Sequence, residues 1–190
     1  MTLAAPQLAR RIADALEEAA VPYALGGALA LGVWGFPRAT NDVDLNVFVP
    51  LEDLSGVLDV LERAGCALDR QAALRSASER GDFRTRVEGM RIDVFVPCID
   101  LYESARKRIR QAPLEGRPAC FLSPEDLAVF KLLFFRTKDI LDVERLAAFL
   151  GAELDRAYVR RWLVDIVGEG DERIERWDRI LDDILTLEGA

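Results

Sequence analysis

Asp42, Val43 and Asp44 carry the first chemistry that the sequence offers. In Asp42-Val43-Asp44-Leu45-Asn46-Val47 polar and aliphatic residues alternate, which predicts a strand with both carboxylates on one face. Along that strand they stand roughly 6.5 Å apart. Like charges on one face repel, so the pair calls for a cation between them. Upstream, Gly26-Gly27 opens the apolar run Ala28 to Trp34. A glycine pair entering a helix presents backbone N–H groups with no side chain to block a phosphate. A third acid, Asp93, interrupts Ile92-Asp93-Val94-Phe95-Val96, in a setting where aspartate is depleted. Alternation puts it on the face away from Ile92, Val94 and Val96. If this strand pairs beside the first, the three carboxylates share a face. Oxygen donors without nitrogen or sulfur suit a hard cation, Mg²⁺ or Mn²⁺, which keeps positions open for substrate phosphates.

The composition narrows the chemistry further. The chain has no histidine. That removes Ser-His and Cys-His catalysis and His-ligated zinc, leaving carboxylates, lysine or metal. Cys66, Cys98 and Cys120 are widely spaced and fit neither a zinc site nor a disulfide framework, so buried structural thiols are expected. The net charge of −8 opposes indiscriminate binding to nucleic acid. It is uneven: residues 1–110 hold 14 Lys+Arg against 16 Asp+Glu, and residues 111–190 hold 11 against 17. No apolar stretch reaches membrane-spanning length, and the N-terminal segment is amphipathic and acidic from Asp14, unlike a secretory signal. A cytoplasmic protein that makes no membrane contact is expected.

The elements that must position these residues are legible from periodicity. Leu8 to Ala20 repeats as a helix, Val21 to Leu25 reads as a strand, Ala28 to Trp34 as a short helix, and Thr40 to Val49 as the Asp42–Asp44 strand. Leu51 to Ala64 is helical and closed by Gly65. The polar stretch Gln71 to Asp82 has no clear pattern. Phe83 to Val87 and Met90 to Val96 alternate around Glu88-Gly89 as a hairpin. Ser123-Pro124-Glu125-Asp126 is a strong helix start. That helix is expected to run to about Phe135, with Arg136 to Asp139 interrupting before helical spacing resumes from Ile140 to Leu150. Two more helices are expected near residues 155–167 and 171–187. The fold class is therefore α/β (α+β): a small mixed sheet flanked by helices over residues 1–110, then a helical part over residues 111–190.

Taken together, Gly-Gly, a short helix, Arg-x-Thr-x-Asp-x-Asp and a later strand Asp resemble the signature of the nucleotidyltransferase superfamily. Lys131-Leu132-Leu133-Phe134-Phe135-Arg136-Thr137-Lys138-Asp139, followed by Asp142, resembles the Lys…Arg-x-Lys-Asp…Asp block of AbiEii/AbiGii-type toxin-like nucleotidyltransferases, with bulky Phe134 and Phe135 in place of the usual small residue. The resemblance implies transfer of a nucleoside monophosphate from an NTP such as ATP to an acceptor hydroxyl, with release of pyrophosphate. Gly26 and Gly27 would then contact the triphosphate, Asp42 and Asp44 would bind two metal ions, and Asp93 would complete the catalytic one. Arg38 and Thr40 join the nucleotide-binding set, although Arg38 is equally suited to pairing with Asp42 or Asp44. Lys131 and Lys138 would neutralise phosphate charge, and Asp139 would orient nucleotide or acceptor. The plainer alternatives are a solvated Lys131 and an i,i+4 pair between Lys138 and Asp142. Toxin-like relatives imply an RNA or tRNA end as acceptor and a cognate antitoxin as partner. A small antibiotic-type acceptor, or an inactive binding or regulatory protein, are the other readings.

Overall fold

The computed structural model describes residues 4–188, and the chain separates into two compact units. The first comprises the chain through residue 33 together with residues 37–122, and the second residues 34–36 with the chain from 123 onward. The expected architecture, a mixed sheet with flanking helices and a helical C-terminal part, is the one formed.

In the first unit, α1 (Ala5–Glu18), β1 (Tyr23–Leu25), α2 (Gly27–Val33), β2 (Asp42–Val47) and α3 (Leu54–Arg63) come first. They are followed by α4 (Arg70–Arg80), β3 (Asp82–Val87), β4 (Met90–Phe95), α5 (Leu101–Lys107), β5 (Arg110–Leu114) and β6 (Arg117–Phe121). The six strands form one sheet in the order β3-β4-β2-β1-β6-β5. β2 runs antiparallel to β1 and parallel to β4, and β1 runs parallel to β6. Alternation sets the core: Val43, Leu45, Val47, Phe83, Ile92 and Val94 are all at most 1% exposed. Against the sheet, α1 buries Leu8, Ile12 and Leu16, spaced to form one helical stripe.

Two regions depart from the sequence expectation. The stretch 71–82, without a legible pattern, is largely α4. Its start is fixed by the Asp69 side chain accepting from the Ala72 N–H at 3.0 Å, and its end by Gly81 at φ 75°. Its inward face consists only of Ala73 and Ala77, too small to mark a stripe. Residues 110–121, where the sequence gives no strand, form the β5–β6 hairpin at one side of the sheet. Among the thiols only Cys66 is buried; Cys98 is exposed and Cys120 half-buried, so the expectation of three buried thiols holds for one.

The second unit contains α6 (Pro124–Phe134), α7 (Thr137–Leu150), α8 (Arg156–Val167) and α9 (Glu172–Glu188). Ser123 caps α6, its Oγ accepting from the Asp126 N–H at 3.1 Å. Residues 137–139 do not interrupt a helix but form the first turn of α7, with Arg136 at the N-cap and Asp139 favourably placed for the helix dipole. Trp177, Leu163, Val159 and Leu146 are fully buried within this unit. Among the described residues no helix is long and apolar enough to cross a membrane.

Candidate active site

The polar face of β2 and β4 brings the strand acids together. Parallel pairing sets Asp44 opposite Asp93 and Asp42 opposite Arg91, while Val43 and Leu45 pair with Ile92 and Val94 on the core side. Partners across a ladder share a face, so all three acids lie on the side away from the core. This is the face that alternation predicts for Asp93. Strand β3 extends it: Arg84 is the register partner of Asp93, and Arg86 that of Arg91.

Arginine and hydroxyl groups hold the carboxylates in place. Arg91 donates through Nη2 to Asp42 Oδ2 and sets its Nε 3.1 Å from Asp93 Oδ2. Arg84 Nε donates to Asp93 Oδ1 at 3.0 Å. Thr40 Oγ1 donates to Asp42 Oδ1 at 2.5 Å, so Thr40 orients a carboxylate in this structure. Among the described residues no three carboxylates or thiols converge on a ready-made metal position. The cation between Asp42 and Asp93 is a guanidinium. The donor set nevertheless fits a hard divalent ion: three aspartates, oxygen only, with a positive group already standing between two of them.

The glycine pair works through Asp44. Gly26 extends the β1–β2 ladder, its N–H donating to the Asp44 carbonyl at 2.9 Å, and its own carbonyl accepts the first α2 bond from Ala30. The Gly26 amide is thus engaged in the sheet, not free for a phosphate. Gly27 has φ 54°, and a Cβ added there would fall on the Asp44 carboxylate. Only glycine leaves room for that carboxylate over the start of α2. Arg38 is exposed in the segment between α2 and β2.

Lys131, Lys138 and Asp139 belong to the second unit. Lys131 is 4% exposed, so the solvated alternative does not hold. Its Nζ donates to Asp142 at 2.7 Å and lies 3.5 Å from Asp139, tying α6 to α7. Asp139 also accepts from Arg136 Nε at 2.5 Å, and Lys138 is exposed. Sequence reasoning missed a neighbouring buried network, in which Asp126 accepts from Ser123 Oγ and from Tyr158 Oη, both at 2.5 Å. The cap motif at Ser123 was its only signal. It also passed over Arg91 as a partner of the acids, although Arg91-Ile92-Asp93 has the spacing that places both charges on one face. An open hollow of about 860 Å³ beside α1 and the β5–β6 turn shares no lining residue with the carboxylate face.

No family model matches this sequence, and no curated protein does. Solved structures do match. The antibiotic-resistance factor ANT(2'')-Ia, in its complex with adenylyl-2''-tobramycin, aligns over 96% of this chain and 98% of its own, with 17% identity and a TM-score of 0.58. The chain has the nucleotidyltransferase fold. A solution structure of ANT(2'')-Ia aligns over 97% of this chain and 92% of its own at the same identity, with a TM-score of 0.57. The lincomycin-bound lincosamide antibiotic adenylyltransferase LnuA covers 78% of this chain and 99% of its own, at 17% identity and a TM-score of 0.54. At these identities the likeness establishes the fold, and the chemistry must be argued from the residues.

Proposed function

We propose that the protein is a metal-dependent nucleotidyltransferase, moving a nucleoside monophosphate from an NTP to the hydroxyl of a small, cationic acceptor. The observation that carries this reading is the register of β2 and β4, which sets Asp44 beside Asp93 with Asp42 on the same open face. In the reaction, the acceptor oxygen bonds to the α-phosphorus, the bond from that phosphorus to the bridging oxygen breaks, pyrophosphate leaves, and the hydroxyl proton is released. Asp42, Asp44 and Asp93 are the residues that would hold divalent ions, Mg²⁺ or Mn²⁺. Divalent ions held there would supply charge stabilisation to an in-line displacement. Gly27 keeps Asp44 turned toward the start of α2, and Thr40 fixes the orientation of Asp42. Arg84 and Arg86 add positive charge at the β3 border of the face, where phosphate oxygens are favoured. None of these steps needs a histidine.

The acceptor class rests on charge and on the fold neighbours. The chain carries −8, concentrated in residues 111–190, which attracts a cation and repels a polyanion over long range. ANT(2'')-Ia is seen with adenylyl-2''-tobramycin, and LnuA is a lincosamide antibiotic adenylyltransferase seen with lincomycin. The likeness of the Lys131–Asp142 block to toxin-type enzymes is the ground for an RNA-end acceptor, and the same experiment decides between them. The protein is incubated with each α-labelled NTP, Mg²⁺ or Mn²⁺, and either an aminoglycoside panel or total RNA. Label on a small cationic acceptor, lost in Asp44→Ala, is the expected result. Label on RNA alone replaces the acceptor class, and label on neither, with every NTP, rejects the transferase.

A further inference from the structure

Arg91 is the cation that the acid face holds in this structure. It stands two residues before Asp93 on β4, so alternation keeps both on one face, and the register sets it opposite Asp42. Its Nη2 donates to Asp42 and its Nε lies 3.1 Å from Asp93 Oδ2. One guanidinium therefore spans two of the three carboxylates proposed to hold metal. The Nε contact is one of charge alone, because that buried atom makes no hydrogen bond. The pair with Asp93 is thus held less firmly than the pair with Asp42. A competing cation for the carboxylates, or a competing anion for the arginine, separates them. The side chain is 39% exposed, which leaves it a route to swing outward. Arg84 also reaches Asp93, but at 69% exposure its contact is screened by water and weak.

We propose that Arg91 is an electrostatic placeholder: it occupies the Asp42–Asp93 pair until a triphosphate arrives, and then gives up the carboxylates to metal while turning to a phosphate. The inference rests on the metal-dependent reading above and adds an order of events to it. Metal alone must displace a bound guanidinium and binds weakly. A triphosphate offers that guanidinium a two-pronged partner, so nucleotide tightens metal binding and metal tightens nucleotide binding by the same factor. Arg91 is in this sense a positioning residue for the acids, not a ligand of the metal.

The test is Mn²⁺ binding to the full chain, followed by electron paramagnetic resonance with and without a non-hydrolysable NTP analogue. Wild type is compared with Arg91→Gln, Arg91→Lys and Arg84→Gln, and the thermal midpoint of each protein is recorded. Arg91→Gln is expected to bind Mn²⁺ without nucleotide on the order of tenfold more tightly than wild type, within the usual range of coupling between sites. It should lose most of the nucleotide-dependent gain even as its apo thermal midpoint falls. A purely structural arginine would lower both quantities together. Arg91→Lys, which cannot bridge two carboxylates with one fork, should shift the same way by a smaller factor and decides the matter if the Gln variant does not fold. Arg84→Gln should change Mn²⁺ affinity less than either. Unchanged or weaker Mn²⁺ binding in the Arg91 variants, with wild-type binding intact, overturns the placeholder and leaves the transferase reading standing. Absence of Mn²⁺ binding in every protein, with and without nucleotide, rejects the metal-dependent reading and the placeholder with it.

Discussion

Gly27 and Asp44 fit closely on the acid face, and that fit can be read by a single methyl group. Gly27→Ala places a Cβ on the Asp44 carboxylate at a backbone φ of 54°. The strain costs on the order of 1–3 kcal/mol. It also turns Asp44 away, so transfer should fall at least a hundredfold. Gly26→Ala meets Asn46 Nδ2 at 3.1 Å and Leu122 Cδ1 at 3.3 Å, both side-chain atoms able to yield, and should be the milder of the two in urea melts. A different residue, Cys66, sets a pH dependence of stability. Burial pushes its thiol up to about 11, from an ordinary value near 9. Between those values the unfolded thiol has lost its proton while the folded one keeps it. Stability therefore falls as pH rises through that window, by up to about 1.4 kcal/mol per pH unit. Cys66→Ala should flatten the fall in urea midpoint between pH 9 and 11. Burial raises Tyr102 as well, which should leave a residual decline at the top of the range in that variant.

At the scale of elements, the α6–α7 junction turns on one lysine. Removing Lys131 takes its ammonium away from the buried Asp139 and Asp142, while Arg136 stays on Asp139. Lys131→Met should destabilise the fold by about 3–5 kcal/mol, and Lys131→Met with Asp142→Leu should recover part of that loss. If Lys131 instead serves chiefly to neutralise phosphate, Lys131→Met melts normally and raises KM for the NTP. Asp69→Ala tests the α4 cap and should cost about 1 kcal/mol. These elements also show what a sequence reading can reach. The β2 and β4 strands and the face of each acid were legible because polar and aliphatic residues alternate along β2 and from Met90 to Val94 in β4. α6 was legible from Ser123-Pro124. α4 was not, since its buried side is two alanines, although Asp69 and Gly81 mark its ends. The β5–β6 hairpin escaped because Pro113 and Pro118 sit opposite each other where strand patterning would be sought. At the site, alternation placed the acids but could not tell that Arg91 would lie between them or that Lys131 would be buried. Both depend on which strands and helices become neighbours.

For the whole molecule, a net charge of −8 sets the terms on which an acceptor arrives. A small cationic acceptor makes few charge contacts, so raising salt from 50 to 200 mM should change kcat/KM only modestly. An RNA end held through several phosphates would lose affinity by orders of magnitude over the same range. The acidic balance favours the first outcome, and a salt series with each acceptor checks it. Metal-dependent transfer by the strand acids is decided by acceptor-dependent pyrophosphate release from an NTP in Mg²⁺, measured for wild type and for Asp44→Ala and Asp93→Ala at matched folded concentration. Release should require metal and acceptor and drop at least a hundredfold in each variant while both proteins stay folded. Release that survives loss of Asp44 or Asp93, or that proceeds equally well in chelator, would contradict it.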